Sequence, residues 1–350
     1  MVAITPPVVL VGTRWPLLGR ALRPFRSRKG RLILGATVGT ITLTCAGLAA
    51  REFAGTPWPL SHGQPGLLAA AGVLFLLGAA FKACGWRQLF AAGERPRPVA
   101  LAVANGGASV MGLVLPGRFD DVVRVALVRR SSACPAGVRA ICLSLFMLGL
   151  IDAAAVAPLA AVAAGVLGGA SSVRAGLAFV ALAGIAASIL VFALPRLARR
   201  RQLLRFRLGR WLSPRATSVR TASKAWALVS VAWVVRAVAL LLLLGTIGIG
   251  FSLPLALLFL CASAAGAVLP VGPAGAATQA GAGAAVLVAA GVGPSQAVAV
   301  AVAAQALGVL AGGSIVLLAA AWRVAVRLHW RRLTRIGLPP RGLHGQGGTV

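Results

Sequence analysis

Long apolar stretches separated by short basic ones set the pattern of this chain, and their lengths predict helices rather than strands. A helix rises about 1.5 Å per residue, so about 20 apolar residues cross the hydrocarbon core of a bilayer. Apolar length and the positions of Gly and Pro breakers place spans at 32–50, 66–81, 140–167, 176–194, 225–247, 253–269, 276–292 and 298–321. The fold expected is an all-α integral membrane protein with about eight transmembrane helices. It would carry a basic cytoplasmic tail at 1–31, a polytopic bundle over 32–321 and a second basic cytoplasmic tail at 322–350. A hydrophobic content of 59% and a mean hydropathy of +0.91 exceed what a soluble core of 350 residues buries.

One segment does not fit a plain series of spans. Val99 to Leu115 is apolar but light, with Asn105 inside it, and stops at Pro116-Gly117 before FDDVVRVALVRR. If it crossed, the basic residues behind it would land outside, so a re-entrant hairpin on the cytoplasmic side is expected, broken at Pro116-Gly117. Asp120 and Arg124 would pair along one face of its second helix while Val122, Val123, Ala126 and Leu127 fill another. A similar break follows Leu255 to Val268, at Pro270-Val271-Gly272-Pro273-Ala274-Gly275, and leads into a light helix carrying Thr278 and Gln279. The two places share a local pattern, as in an internal repeat, and paired broken helices point to a transporter's substrate site. The bland alternative is that both are helix-ending loops in a bundle of small residues.

A net charge of +30 raises nucleic acid as a partner, but its distribution gives another cause. With the N-terminus inside, the cytoplasmic segments hold 32 of the 35 Lys and Arg residues, Lys82 among them. The opposite face keeps Arg51 and Arg174, and the membrane keeps Arg236. That asymmetry is the positive-inside rule of a plasma-membrane protein with both termini cytoplasmic, so no nucleic-acid partner is expected. Anionic lipid headgroups are the natural neighbours of the basic loop Arg196 to Lys224. The basic N-terminal stretch and the apolar run behind it are too long for an export signal, which leaves an uncleaved first span. The five cysteines, Cys45, Cys84, Cys134, Cys142 and Cys261, form no C-x-x-C pair and read as free thiols.

Arg236 lies near the middle of AWALVSVAWVVRAVALLLLLG, and Asp152 is comparably deep in its own apolar run. A charge at bilayer depth costs about 2.5–3.5 kcal/mol on insertion scales, so such residues face a protein interior or a wet cavity. The two are expected to pair. Trp233, three residues before Arg236, is either a cation–π shield for the guanidinium or simple core. Most of the eight tryptophans, including Trp58, Trp86, Trp211, Trp322 and Trp330, lie near predicted span ends, as an interfacial belt would. Asn105 and Gln305 read as interhelical hydrogen-bonding groups or as ligands.

These residues resemble a family. LPGRFDDVVRVALVRR, the span with Leu150-Ile151-Asp152, the Trp233/Arg236 span and LPVGPAGAATQAGAGAAVL together resemble the transmembrane region of the lysylphosphatidylglycerol synthase family. The likeness runs over about residues 32–321. Pro116, Gly117, Arg118 and Arg124 fall on a motif similar to P-G-[KR]-x-G-E-x-x-R, with Asp120-Asp121 where Gly-Glu is usual. Asp152 resembles the Asp of an E-R-x-x-D type motif. Pro273 and Gly275 fall on a motif similar to P-G-G-x-G-x-x-E, but Ala274 and Ala277 replace glycines and Ala280 stands at the glutamate. No acidic residue follows Asp152 anywhere in the chain, so Thr278 and Gln279 offer only neutral hydrogen bonds there.

The resemblance implies a bundle that translocates lipid or a lipid-linked substrate. In full-length members this region moves aminoacylated phospholipid made by a separate soluble domain. The 29 residues after the last predicted span are too few for such a domain, so aminoacyl transfer is not expected. No catalytic motif, metal-ligand set or cofactor site stands out either. His62, His329 and His344 lie outside the spans, the chain has no Tyr, and adjacent Asp120 and Asp121 point apart on a helix. Arg118, Arg124 and Arg236 are the expected phosphate ligands, since guanidinium forks match phosphate oxygens. Asp120, Asp121 and Asp152 would balance them or receive a cationic headgroup. The alternative is a non-transporting membrane partner that recruits or regulates a cell-envelope enzyme, which the missing late glutamate favours.

Overall fold

Regular structure in the chain is helical wherever its placement is described. The computed structural model describes residues 64–112, 119–131, 136–166, 171–198, 218–267 and 275–335. In chain order these hold α1 (Pro65–Gln88), a 3-10 turn (Ala92–Glu94), α2 (Pro98–Met111), α3 (Phe119–Arg130), α4 (Val138–Val166) and α5 (Ser171–Ala198). Then follow α6 (Val219–Thr246), α7 (Leu253–Gly266), α8 (Gly275–Ala289) and α9 (Pro294–Arg335). The predicted first span at 32–50 lies outside the described residues, as do Cys45, Cys134, Trp58 and Trp211.

Local chemistry sets the helix ends. Pro65, Pro98 and Pro294 open α1, α2 and α9, where the missing N–H has no helical acceptor to lose. Ser218 caps α6 by accepting the Thr221 N–H at 3.2 Å, and Ser252 caps α7 through Leu255 at 3.5 Å. Past α6 the chain turns sharply through Gly248 and Gly250, at φ 82 and 96, and past α8 through Gly291 at φ 89. These are left-handed conformations that side chains disfavour. The loop between α6 and α7 and the loop between α8 and α9 are therefore both tight.

Five helices are long and apolar enough to cross a membrane: Pro65–Gln88, Val138–Val166, Val173–Leu194, Val219–Thr246 and Pro294–Val326. They match five of the eight predicted spans. Two others differ, because α7 and α8 have only 14 and 15 residues. At about 1.5 Å per residue neither reaches across a hydrocarbon core of about 30 Å. Apolar composition made both look like full spans, while their described helices are shorter. They pack as an antiparallel pair, with Gly266 against the backbone of Thr278 and Gly283 against the ring of Phe259. α2, also 14 residues, packs on α3 in the same manner, with Leu127 filling the space beside Gly107. The hairpin expected over residues 98–130 is thus matched by a second one.

Small residues let the long helices approach closely. Ala71, Gly78 and Gly85 repeat every seven residues on α1, and Ala225, Ala232 and Ala239 do so on α6. A Cβ at Gly78 would stand 3.4 Å from the carbonyl oxygen of Ala232, and one at Gly85 3.3 Å from that of Ala225. The seam is antiparallel and nearly backbone to backbone. Gly106 of α2 and Gly312 of α9 likewise meet face to face, and Gly184 of α5 lies on the backbone of Ala153 in α4.

Buried side chains fall into two apolar clusters. One gathers around Leu243, Leu244, Leu258, Leu287 and Val300, the other around Trp86, Leu101, Val128, Ile141 and Ile151. Trp233 packs against both, at the seam between them.

Candidate functional site

At that seam three helices bring charged groups together. Lys82 of α1 forms an ion pair of 2.7 Å with Asp152 of α4. Trp233 of α6 donates its indole N–H to the other carboxylate oxygen at 3.1 Å. Both oxygens of Asp152 are thereby engaged. The Lys82 ammonium lies 5.9 Å from the centre of the Trp233 ring, and the Arg236 guanidinium 5.8 Å from it. Arg236 also stands 5.4 Å from the ring of Phe75. Trp233 therefore fills both roles left open by the sequence, as core between two clusters and as a π face for cations.

Local features place each group. The close α1–α6 seam carries Lys82 and Phe75 alongside Trp233 and Arg236. On α4, Pro158 has no N–H to offer the carbonyl of Ala154, which loosens the helix one turn beyond Asp152. On α9, Gly308 leaves a gap beside the guanidinium: a Cβ there would lie 3.9 Å from Nη2 of Arg236. The side chains of Lys82 and Asp152 remain 28% and 21% exposed, so the cluster is reachable from its surroundings.

The expected pair of Asp152 and Arg236 is corrected by this geometry. Asp152 pairs with Lys82, and among the described residues no carboxylate forms an ion pair with Arg236. Sequence reasoning missed Lys82 because the apolar run stops at residue 81, which put this lysine in a cytoplasmic segment. The available signal was the lack of any proline between Pro65 and Pro96, which lets α1 run on through Lys82 to Gln88. The same extension corrects Trp86. It is fully buried and donates to the Ser144 hydroxyl at 2.9 Å, so it is not an interfacial residue. Trp322 is 73% exposed.

Asp120, Asp121 and Arg124 form a separate group within α3. Arg124 bridges Asp121 at 2.6 Å and Asp120 at 3.2 Å, spacings of three and four residues along one helix. Nothing in the described residues links this group to the seam cluster. Pro116, Gly117, Arg118, Pro270, Gly272 and Pro273 lie outside the described residues. Gly275 begins α8. The Thr278 hydroxyl donates to the Gly266 carbonyl at 3.2 Å and ties the neck of the α7–α8 hairpin, while Gln279 is half-buried on α8 and joins no charged group. Asn105 is half-buried in α2, and both polar atoms of its side chain are enclosed without a protein partner.

A helical bundle with charges assembled at depth between long apolar helices is a multi-pass membrane protein. The family model described as the lysylphosphatidylglycerol synthase TM region matches residues 30–315, and the chain belongs to that family. No curated protein matches the chain.

Proposed function

We propose that this protein translocates a phospholipid or lipid-linked substrate across the cytoplasmic membrane, with both termini on the cytoplasmic side. The observation that carries the reading is the assembly of Lys82, Asp152, Trp233 and Arg236 from three long apolar helices. Charges are retained at such depth where something polar must pass or bind. Two hairpins of half-membrane length support it, since broken helices line the sites of transporters. Family membership supports the same reading. In this arrangement the α2–α3 hairpin enters from the cytoplasm and the α7–α8 hairpin from the opposite face. A headgroup would cross between them while acyl chains stay in lipid. In the sequence, Arg118 follows the first Pro-Gly break, and Pro273 and Gly275 fall in the second.

The test is movement of fluorescent-tailed phospholipid between leaflets of vesicles holding the purified protein, read by quenching of the outer leaflet. Movement at the rate of empty vesicles would leave the second reading, a membrane partner that recruits or regulates a cell-envelope enzyme. Ala280 at the late motif's glutamate position favours that second reading. Topology is tested independently. Reporters fused after Arg210 and Arg335 should read cytoplasmic and one after Gln64 external; an external reading at Arg210 would overturn the orientation.

A further inference from the structure

We propose that the seam cluster selects a lipid whose headgroup is anionic through its phosphodiester, and rejects headgroups that carry added ammonium groups. The inference rests on the translocase reading and adds the charge of the cargo to it.

The chain has five acidic residues. Asp120 and Asp121 are both held by Arg124, and Asp152 gives one oxygen to Lys82 and the other to Trp233. Glu94 has a partner of its own and lies in the turn between α1 and α2. Glu52 lies outside the described residues. No acidic residue occurs from 153 to the C-terminus, so α5 to α9 have no carboxylate to offer a cationic headgroup. The cluster itself holds two cations and one anion. A lipid ammonium approaching it would meet an excess of like charge and a carboxylate already occupied on both oxygens.

Arg236 is the complement of this. Its guanidinium lies 5.4 Å from the centre of the Phe75 ring and 5.8 Å from that of Trp233, and among the described residues no hydrogen bond or ion pair takes up its five N–H donors. No described carboxylate pairs with it, and Gly308 keeps the space beside Nη2 free of a side chain. The N–H fork of such a guanidinium matches two phosphate oxygens. One phosphodiester anion would bring the cluster to neutrality.

The experiment uses the full chain in phosphatidylcholine vesicles with trace tail-labelled phosphatidylglycerol or lysyl-phosphatidylglycerol. Thermal stability of the detergent-solubilised protein is measured in parallel with dioctanoyl forms of both lipids and with inorganic phosphate. Phosphatidylglycerol should move roughly tenfold faster or more than its lysyl ester, a difference of about 1.4 kcal/mol or more set by like-charge repulsion. Arg236→Gln should remove that preference and Arg236→Lys retain part of it. Gly308→Val, which leaves every charge in place, should slow phosphatidylglycerol. Equal rates for the two lipids, or an undiminished preference in Arg236→Gln, would overturn the proposal. If no lipid moves at all, the translocase reading fails, and the stability arm alone decides the charge preference. There, stabilisation by dioctanoyl phosphatidylglycerol over its lysyl ester upholds it, and equal shifts reject it. Inorganic phosphate stabilising as well as the lipid would assign the site to a free anion instead.

Discussion

The two charged groups of this protein are built in opposite ways. Asp120, Asp121 and Arg124 lie within two turns of one helix, and their bonds require only that α3 be helical. Lys82, Asp152 and Arg236 come from three helices and meet only when α1, α4 and α6 are packed. A local group of this kind stabilises its own helix a little. The nonlocal one couples three spans, and its charges have no low-cost alternative once the bundle has closed around them. The difference is between charges that one helix brings together and charges that only the packed bundle does.

Removing one member of each group measures that difference, and the largest effect is expected at Asp152. Asp152→Ala leaves Lys82 without its ion-pair partner beside a second cation and should destabilise the protein by about 2–3 kcal/mol, below the fully buried case because the pair is partly exposed. Thermal melting of the solubilised protein measures it. In the double variant Lys82→Met/Asp152→Ala most of that loss should return; strictly additive losses would show that the ion pair does not hold the helices. Next comes Trp233→Phe, which keeps a ring near both cations but deletes the indole N–H to Asp152. A loss of about 1.5 kcal/mol is expected, the low end of the range for one hydrogen bond to a charged group. The smallest effect belongs to the local group. Asp120→Ala leaves Asp121 on Arg124 and should change stability by about 0.5 kcal/mol or less. A loss there as large as at Asp152 would break the comparison and make α3 part of the site.

The same contrast governs what could be read in advance. The Asp120–Arg124 pairing follows from a spacing of four, and the helices themselves follow from apolar length. Asp152 and Arg236 stood out because a charge in a long apolar run is conspicuous. Their partners did not, since pairing across 70 residues from Lys82 to Asp152 depends on packing that no periodicity encodes. Hydropathy ended the first described span at residue 81, at the lysine whose burial is made tolerable by a carboxylate on another helix. It also lengthened α7 and α8, because an apolar half-membrane helix and an apolar span share a composition. Phe75 and Gly308 were invisible for a plainer reason: a Phe and a Gly in such helices are commonplace until a guanidinium is found beside them.

Trp233 carries an optical consequence. The centre of its indole lies 5.9 Å from an ammonium and 5.8 Å from a guanidinium while its N–H donates to a carboxylate, so fixed charges bear directly on its excited-state dipole. Any change in the charge beside Arg236 must alter the wavelength at which this one fluorophore emits. The difference spectrum between the native chain and Trp233→Phe isolates it from the other seven tryptophans of the eight. The protein thus contains, without any label, a gauge of the electric field at its own centre.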